Sequence, residues 1–120
     1  YNNGRHFLLH YTSACSGFLL NPLNFRLFPG DLVFMLNHVR SKVIFIDALL
    51  LPEFEKVPFN ELNTVKTVVV CGENEAPNGW TTKMSHYCTV VDFDAFLSRG
   101  QDSFVWPRLD ERSAVSICFT

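Results

Sequence analysis

Residues 29–47 read PGDLVFMLNHVRSKVIFID, and the fold turns on how this stretch is parsed. Pro29 is placed for the first turn of a helix, where its missing N–H costs nothing, and Asp31 serves the positive end of the helix dipole. Leu32, Met35, Leu36 and Val39 fall on one stripe, while Asn37, His38 and Arg40 point away. The helix runs directly into KVIFID at 42–47, a continuous apolar run that reads as a buried strand. Upstream, FLLNPLN at 18–24 is a second apolar run, closed by Asn and Pro, which reads as a short buried strand passing into a loop. Strand, helix and strand in that order form a right-handed βαβ unit in a parallel sheet, so the expected fold class is α/β.

Outward from this unit the pattern continues less cleanly. RHFLLHYTSACS at 5–16 places Phe7, Leu8, Tyr11 and Ala14 at helical spacing, with Gly17 where the helix should stop. LLPEFEKV predicts a short helix broken by Pro52, and TVKTVVVCG at 64–72 predicts a β-branched strand ending at Gly72. Residues 73–87 turn polar around APNG and read as a surface loop. CTVVDFDAFLSRG starts as a strand and becomes a short helix, with Asp92 or Asp94 as N-cap and Gly100 past its end. After the loop QDSFVWPRLDERS comes a last strand, 114–119.

Composition excludes several classes of function. The chain has 120 residues, enough for one core, and is 48% hydrophobic with twelve Phe and only 18% charged residues, which excludes disorder. Ten Lys and Arg are scattered at a net charge of −2, so no basic stripe is available for a phosphate backbone and nucleic acid is not an expected partner. VIFIDALLLP at 43–52 is too short, and interrupted by Asp47, to be a transmembrane segment, which needs about 20 apolar residues. Cys15, Cys71, Cys88 and Cys118 are irregularly spaced with no C-x-x-C pair, a pattern suited to free thiols in a reducing compartment. The chain starts with Tyr1 and stops inside a strand pattern, so it is expected to be an internal fragment of a longer protein.

Candidate chemistry is sparse. His6 and His10 share a helix face as two zinc ligands would, but no third ligand or Glu base accompanies them, and they are expected to be exposed helix histidines. Cys71, Glu73, Glu75, His86 and Cys88 flank one loop without matching a structural zinc spacing, so no metal site is expected. Asp47 ends a strand, where open α/β sheets bind ligands, yet the partners of a phosphoacceptor are absent and a capping role is expected. Thr120 ends the last strand, and a hydroxyl there, if followed by glycines, would open a phosphate-cradling loop.

Taken together, NNGRH (2–6), GFLLNPLNFRLFPGDLVFMLNHVRSKVIFID (17–47), WP (106–107) and LDERSAVSICFT (109–120) resemble the acyl-CoA synthetases of the AMP-binding, adenylate-forming superfamily. In the fatty-acid branch a G-A-V-L-N-P-L-N-x-R-L-x-P-E-D-L segment precedes L-N-H and a strand ending in Asp. A later strand ending in Y/F-T leads into the phosphate loop S-G-T-T-G-x-P-K-G. Gly30 and Phe18 depart from this pattern, where the family often has an acid and Ala.

The resemblance implies a partial parallel sheet within the large N-terminal domain of such an enzyme. Residues 1–51 would hold the helix and βαβ unit, 52–105 a variable region with the surface loop 73–87, and 106–120 the strand leading to the phosphate loop. It also implies ATP, Mg²⁺ and coenzyme A as cofactors of the parent enzyme, a carboxylic acid such as a fatty acid as substrate, and the rest of the ligase chain as partner. Of the family's nucleotide-contacting motif only Thr120 is matched, as the Thr that opens the phosphate loop; Asn24, Arg26 and Asn37 fall to scaffold, and no catalytic residue is carried over. The compartment would be cytoplasm or an organelle such as peroxisome or mitochondrion. The rival expectation is an independent, flavodoxin-like binding module with Asp47 at its ligand crevice.

Overall fold

The computed structural model describes residues 3–72 and 83–119. The chain divides into two compact units, one of residues 24–100 and one of residues 1–23 with 101–120.

The first of these carries the sheet. Strands β1 (Val43–Asp47), β2 (Thr67–Cys71) and β3 (Thr89–Asp92) pair in parallel in the order β1-β2-β3. Central β2 has Val68, Val69, Val70 and Cys71 all buried, because it has a neighbour on each side and is covered on both faces. β1 is an edge strand, so the expected continuous burial of KVIFID becomes alternation, with Ile44 and Ile46 buried and Val43 exposed. Phe45 meets Phe96 edge to face at 5.6 Å, which seats the short helix that follows β3.

The helix of the decisive stretch is α2 (Pro29–His38), the second in the chain. Leu32, Met35 and Leu36 are buried as the stripe requires, Val33 joins them, and Val39 is half-buried. Its C-terminus closes with Arg40 at φ 55°, its N–H on the Asn37 carbonyl and that of Ser41 on the Leu36 carbonyl at 2.9 Å. This is a Schellman closure, normally made by Gly, so Arg40 holds a left-handed backbone conformation at a cost of about 1 kcal/mol.

β1 and β2 are joined through two 3₁₀ turns and helix α3 (Leu51–Phe54). Pro52 sits in the first turn of α3 and starts the helix; it does not break it. Leu51 and Phe54 are buried, and Phe54 packs edge to face on Phe59 at 5.5 Å. The expected surface loop 73–87 lies outside the described residues up to 82; in the remainder Lys83, Ser85, His86 and Tyr87 are exposed, as a surface segment requires, and Met84 is buried. The last helix, α4 (Phe93–Leu97), is capped by Asp92, whose carboxylate accepts from the N–H groups of Asp94 and Ala95.

In the other unit, α1 (Gly4–Ser16) begins at Asn3, whose side chain accepts from His6 N–H, and ends at Gly17 in the left-handed region. A Cβ on Gly17 would also lie 2.9 Å from the Leu109 side chain. The helix spans the predicted residues, but none of it is buried: Phe7, Leu8 and Tyr11 are all more than half exposed. Residues 18–24 and 114–119, each expected to be a strand, do not form one. They meet in a single parallel bridge, Leu20 with Ser116, held by bonds of 3.0 and 2.9 Å. The βαβ expectation is corrected accordingly: among the described residues α2 is preceded by no ladder strand, and the parallel crossovers run from β1 to β2 and from β2 to β3.

Candidate functional site

Ligands of open parallel sheets bind beyond the carboxyl ends of the strands, so the site is sought there. Asp47 and Cys71 are opposite one another in register, and Asp92 pairs with Val70. Two carboxylates thus sit along one sheet edge, and both are occupied by the chain itself. Asp47 Oδ1 accepts from Leu49 N–H at 3.1 Å, and Asp92 Oδ1 takes two helix N–H groups at 2.8 and 3.1 Å. Gly72, at φ 142°, brings the end of β2 close to Ala48; an added Cβ would lie 3.2 Å from the Ala48 Cβ. The edge above β1 and β2 is therefore filled by the turn that follows β1. Asp47 does what a capping residue does, and among the described residues these strand ends form no flavodoxin-like crevice.

Of the loop-flanking set, the described members do not assemble. Cys71 closes β2, whereas Cys88 precedes Thr89, the partner of Thr67, so the two thiols lie at opposite ends of the strand pair, about 16 Å apart along it. Burial pushes the Cys88 thiol up, and its Sγ donates weakly to the Met84 carbonyl. Glu73 and Glu75 lie outside the described residues. His86 lines a hollow of about 300 Å³ with Glu55, Phe59, Lys83 and Tyr87, in which Lys83 Nζ pairs with Glu55 at 2.5 Å. Among the described residues no group of three or more His, Cys, Asp or Glu gathers as metal ligands would. His6 and His10 do approach each other, with their Nε2 atoms 3.2 Å apart on the exposed face of α1.

The residues of the sequence pattern 17–47 act on backbone. Asn24 Oδ1 accepts from Arg26 N–H at 3.1 Å, closing the turn before α2, and the Arg26 guanidinium lies 5.6 Å from the Phe25 ring. Asn37, expected to point away, instead spans to a distant loop: its Nδ2 donates to the Glu61 carbonyl at 2.7 Å and its Oδ1 accepts from Asn63 N–H at 2.9 Å. An amide that reads both a donor and an acceptor of one loop pins that loop against the helix. These are positioning contacts.

Thr120 lies outside the described residues. The segment leading to it starts with a tight turn that composition alone did not single out. Asp110 accepts Arg112 N–H at 2.9 Å and binds the Arg112 guanidinium through both oxygens, at 3.2 and 3.1 Å. The guanidinium, helped by the backbone bond, holds the Asp110 carboxyl below its usual range. The signal was available in D-x-R-S, an Asp poised to cap its own turn with a cation two residues on. Sequence reasoning also passed over Asn21, whose amide nitrogen and oxygen are both buried with no hydrogen-bond partner among the described residues.

No family model matches the chain. It is 38% identical, over its whole length, to a 3-methylmercaptopropionyl-CoA ligase of Ruegeria pomeroyi and 34% identical to one of Ruegeria lacuscaerulensis. It is also 27% identical, again throughout, to a medium-chain-fatty-acid–CoA ligase of Ectopseudomonas oleovorans. The chain spans about a fifth, 21%, of the length of each of these relatives. Among solved structures, the A domain of a carboxylic acid reductase from Segniliparus rugosus, in complex with AMP and a co-purified carboxylic acid, superposes with a TM-score of 0.70 at 14% identity. The superposition covers 96% of this chain and 19% of that one.

Proposed function

We propose, on the premise that this chain is related along its whole length to the acyl-CoA ligases, with the fold of an adenylate-forming domain, that it serves as part of the AMP-binding N-terminal domain of such a ligase. The parent enzyme would activate a carboxylic acid with ATP and Mg²⁺ and pass the acyl group to coenzyme A. A carboxylate is a poor acyl donor; attack of its oxygen on the α-phosphate expels pyrophosphate, and the thiol of coenzyme A then displaces AMP from the acyl carbon. The observation that carries this reading is the 38% identity to a CoA ligase across all of the chain.

The described residues supply scaffold to that chemistry. Asn24 holds the turn before α2, Asn37 pins the loop at 61–63 to that helix, and the strand ends are closed by Asp47, Gly72 and Asp92. They form no complete nucleotide site, so this chain by itself is expected to be inactive. Thr120 is assigned to the opening of the phosphate loop, where its hydroxyl would face the phosphates. Its preceding segment, braced by Asp110 and Arg112, supports that placement only as far as residue 119. The three relatives named above span acids from a short thioether acid to a medium-chain fatty acid, and the substrate belongs to that carboxylic acid range. Among the described residues no helix is long and apolar enough to cross a membrane. Four cysteines without disulfides support a reducing compartment.

The test is pyrophosphate release by the full-length protein that carries this segment, with ATP, Mg²⁺, coenzyme A and a panel of acids from 3-methylmercaptopropionate to long-chain fatty acids. Acid-dependent release with thioester formation is expected. Thr120→Ala should lower kcat by about a hundredfold, with Thr120→Ser restoring most of it. A folded full-length protein that releases no pyrophosphate with any acid would sink the reading, as would turnover by residues 1–120 alone.

A further inference from the structure

The His6 and His10 imidazoles are one helical turn apart on α1, with ring centroids 4.9 Å apart and Nε2 atoms 3.2 Å apart. The two nitrogens are joined by a hydrogen bond in which one ring donates to the other, so a cation seated between them takes the place of that proton. With metal–nitrogen bonds of about 2.05 Å, a separation of 3.2 Å corresponds to an N–M–N angle of about 100°, between the values for square-planar and tetrahedral ions. A cation that displaces this proton leaves both nitrogens as ligands on one face of the helix. The usual difficulty of a two-ligand site is the ordering of its ligands, and here a capped helix has already done that; Asn3 fixes the turn through His6 N–H.

We propose that His6 and His10 form a two-point site for a late first-row divalent cation of the imidazole-preferring class, Cu²⁺, Ni²⁺ or Zn²⁺, with water completing the coordination. The site is independent of the ligase reading. It is also distinct from a catalytic or structural zinc centre, since no third protein ligand gathers with the pair among the described residues. Its consequence is structural. α1 buries no residue of its own, so a clip across its first turns stabilises a helix that otherwise relies on capping. By mass action the ion shifts the helix towards its ordered state in proportion to its occupancy.

The experiment titrates the full chain, prepared without a histidine tag, with Cu²⁺ and with Zn²⁺ alone by calorimetry. One site is expected, tighter for Cu²⁺ than for Zn²⁺ as the general order of divalent affinities dictates. His10→Gln and His6→Gln should each weaken it at least about tenfold, because the second imidazole then no longer binds at the effective concentration of a tethered ligand. His38→Gln and His86→Gln should leave it unchanged. Electron paramagnetic resonance of the Cu²⁺ complex should show two coordinated nitrogens. Absence of binding, an unchanged affinity in His10→Gln, loss in His38→Gln or His86→Gln, or a single-nitrogen spectrum would each overturn the site. Gln is a good helix former on an exposed face, and circular dichroism of the variants checks that the helix persists.

Discussion

The two units are made of similar residues and differ in where those residues end up. Among the described residues every buried core side chain, from Leu32 to Val91, belongs to residues 24–100. Residues 1–23 and 101–120 hold Phe7, Tyr11, Phe18, Phe104, Trp106 and Phe119, all at least 40% exposed, and the amide of Asn21, which has no partner among the described residues. An apolar pattern is thus a demand for a neighbour; it does not supply one. Where three strands and their crossovers are all present the demand is met. Where two segments share a single bridge, the same chemistry stays in water.

The contrast is broken or sharpened most strongly by thiol labelling. Exposed Cys15 and Cys118 should react with iodoacetamide at least about a hundredfold faster than buried Cys71, which waits for opening of the sheet, and Cys88 should lag because burial raises its thiol. Equal rates by mass spectrometry would erase the difference between the units. Next in size is truncation of a side chain in each. Leu51→Ala, at a fully buried position, should cost about 3 kcal/mol in urea unfolding. Phe7→Ala, at a position 62% exposed, should stay within about 0.5 kcal/mol in this chain. A larger cost for Phe7→Ala in the full-length protein would identify what covers that face.

Backbone positions give smaller effects of opposite sign. Gly72→Ala should destabilise by about 2 kcal/mol, since its φ of 142° and the Ala48 contact both oppose a side chain. Arg40→Gly should stabilise by about 1 kcal/mol, because the Schellman position at φ 55° no longer carries a Cβ; a loss of stability there would mean that the Arg side chain contributes more than its strain. The smallest effect is at the exposed Asp110–Arg112 turn. NMR titration should place the Asp110 carboxyl below its ordinary value, returning upward in Arg112→Gln. The sign follows from linkage: a depressed carboxyl favours the folded turn above the unfolded pKa, and that preference fades as pH falls through the folded one.

Much of this is legible in the order of residues. The caps, Asp92 and Gly17, and the helix from Pro29 rest on interactions within four residues of one another, and the β-branched run before Gly72 is a strand on local grounds. Asp47 as a cap follows from the same short range. Other features required partners far along the chain. Asn37 reads as a solvent-facing residue until Glu61 and Asn63 arrive beside it, 24 and 26 positions away. Pro52 reads as a breaker until the helix is seen to start one residue earlier. KVIFID reads as fully buried until β1 proves to be an edge.

The sequence by itself determined which segments are helical, where they stop, and the kinship to the ligases, because those depend on local backbone preferences and on residue identity. Tertiary structure decided which of the strand candidates find a partner. FLLNPLN and SAVSICF have the composition of strands but share one bridge, whereas TVVVC has a neighbour on either side and becomes the centre of the sheet. A strand is a relation between chains of hydrogen-bonding groups, and no single segment contains its own partner.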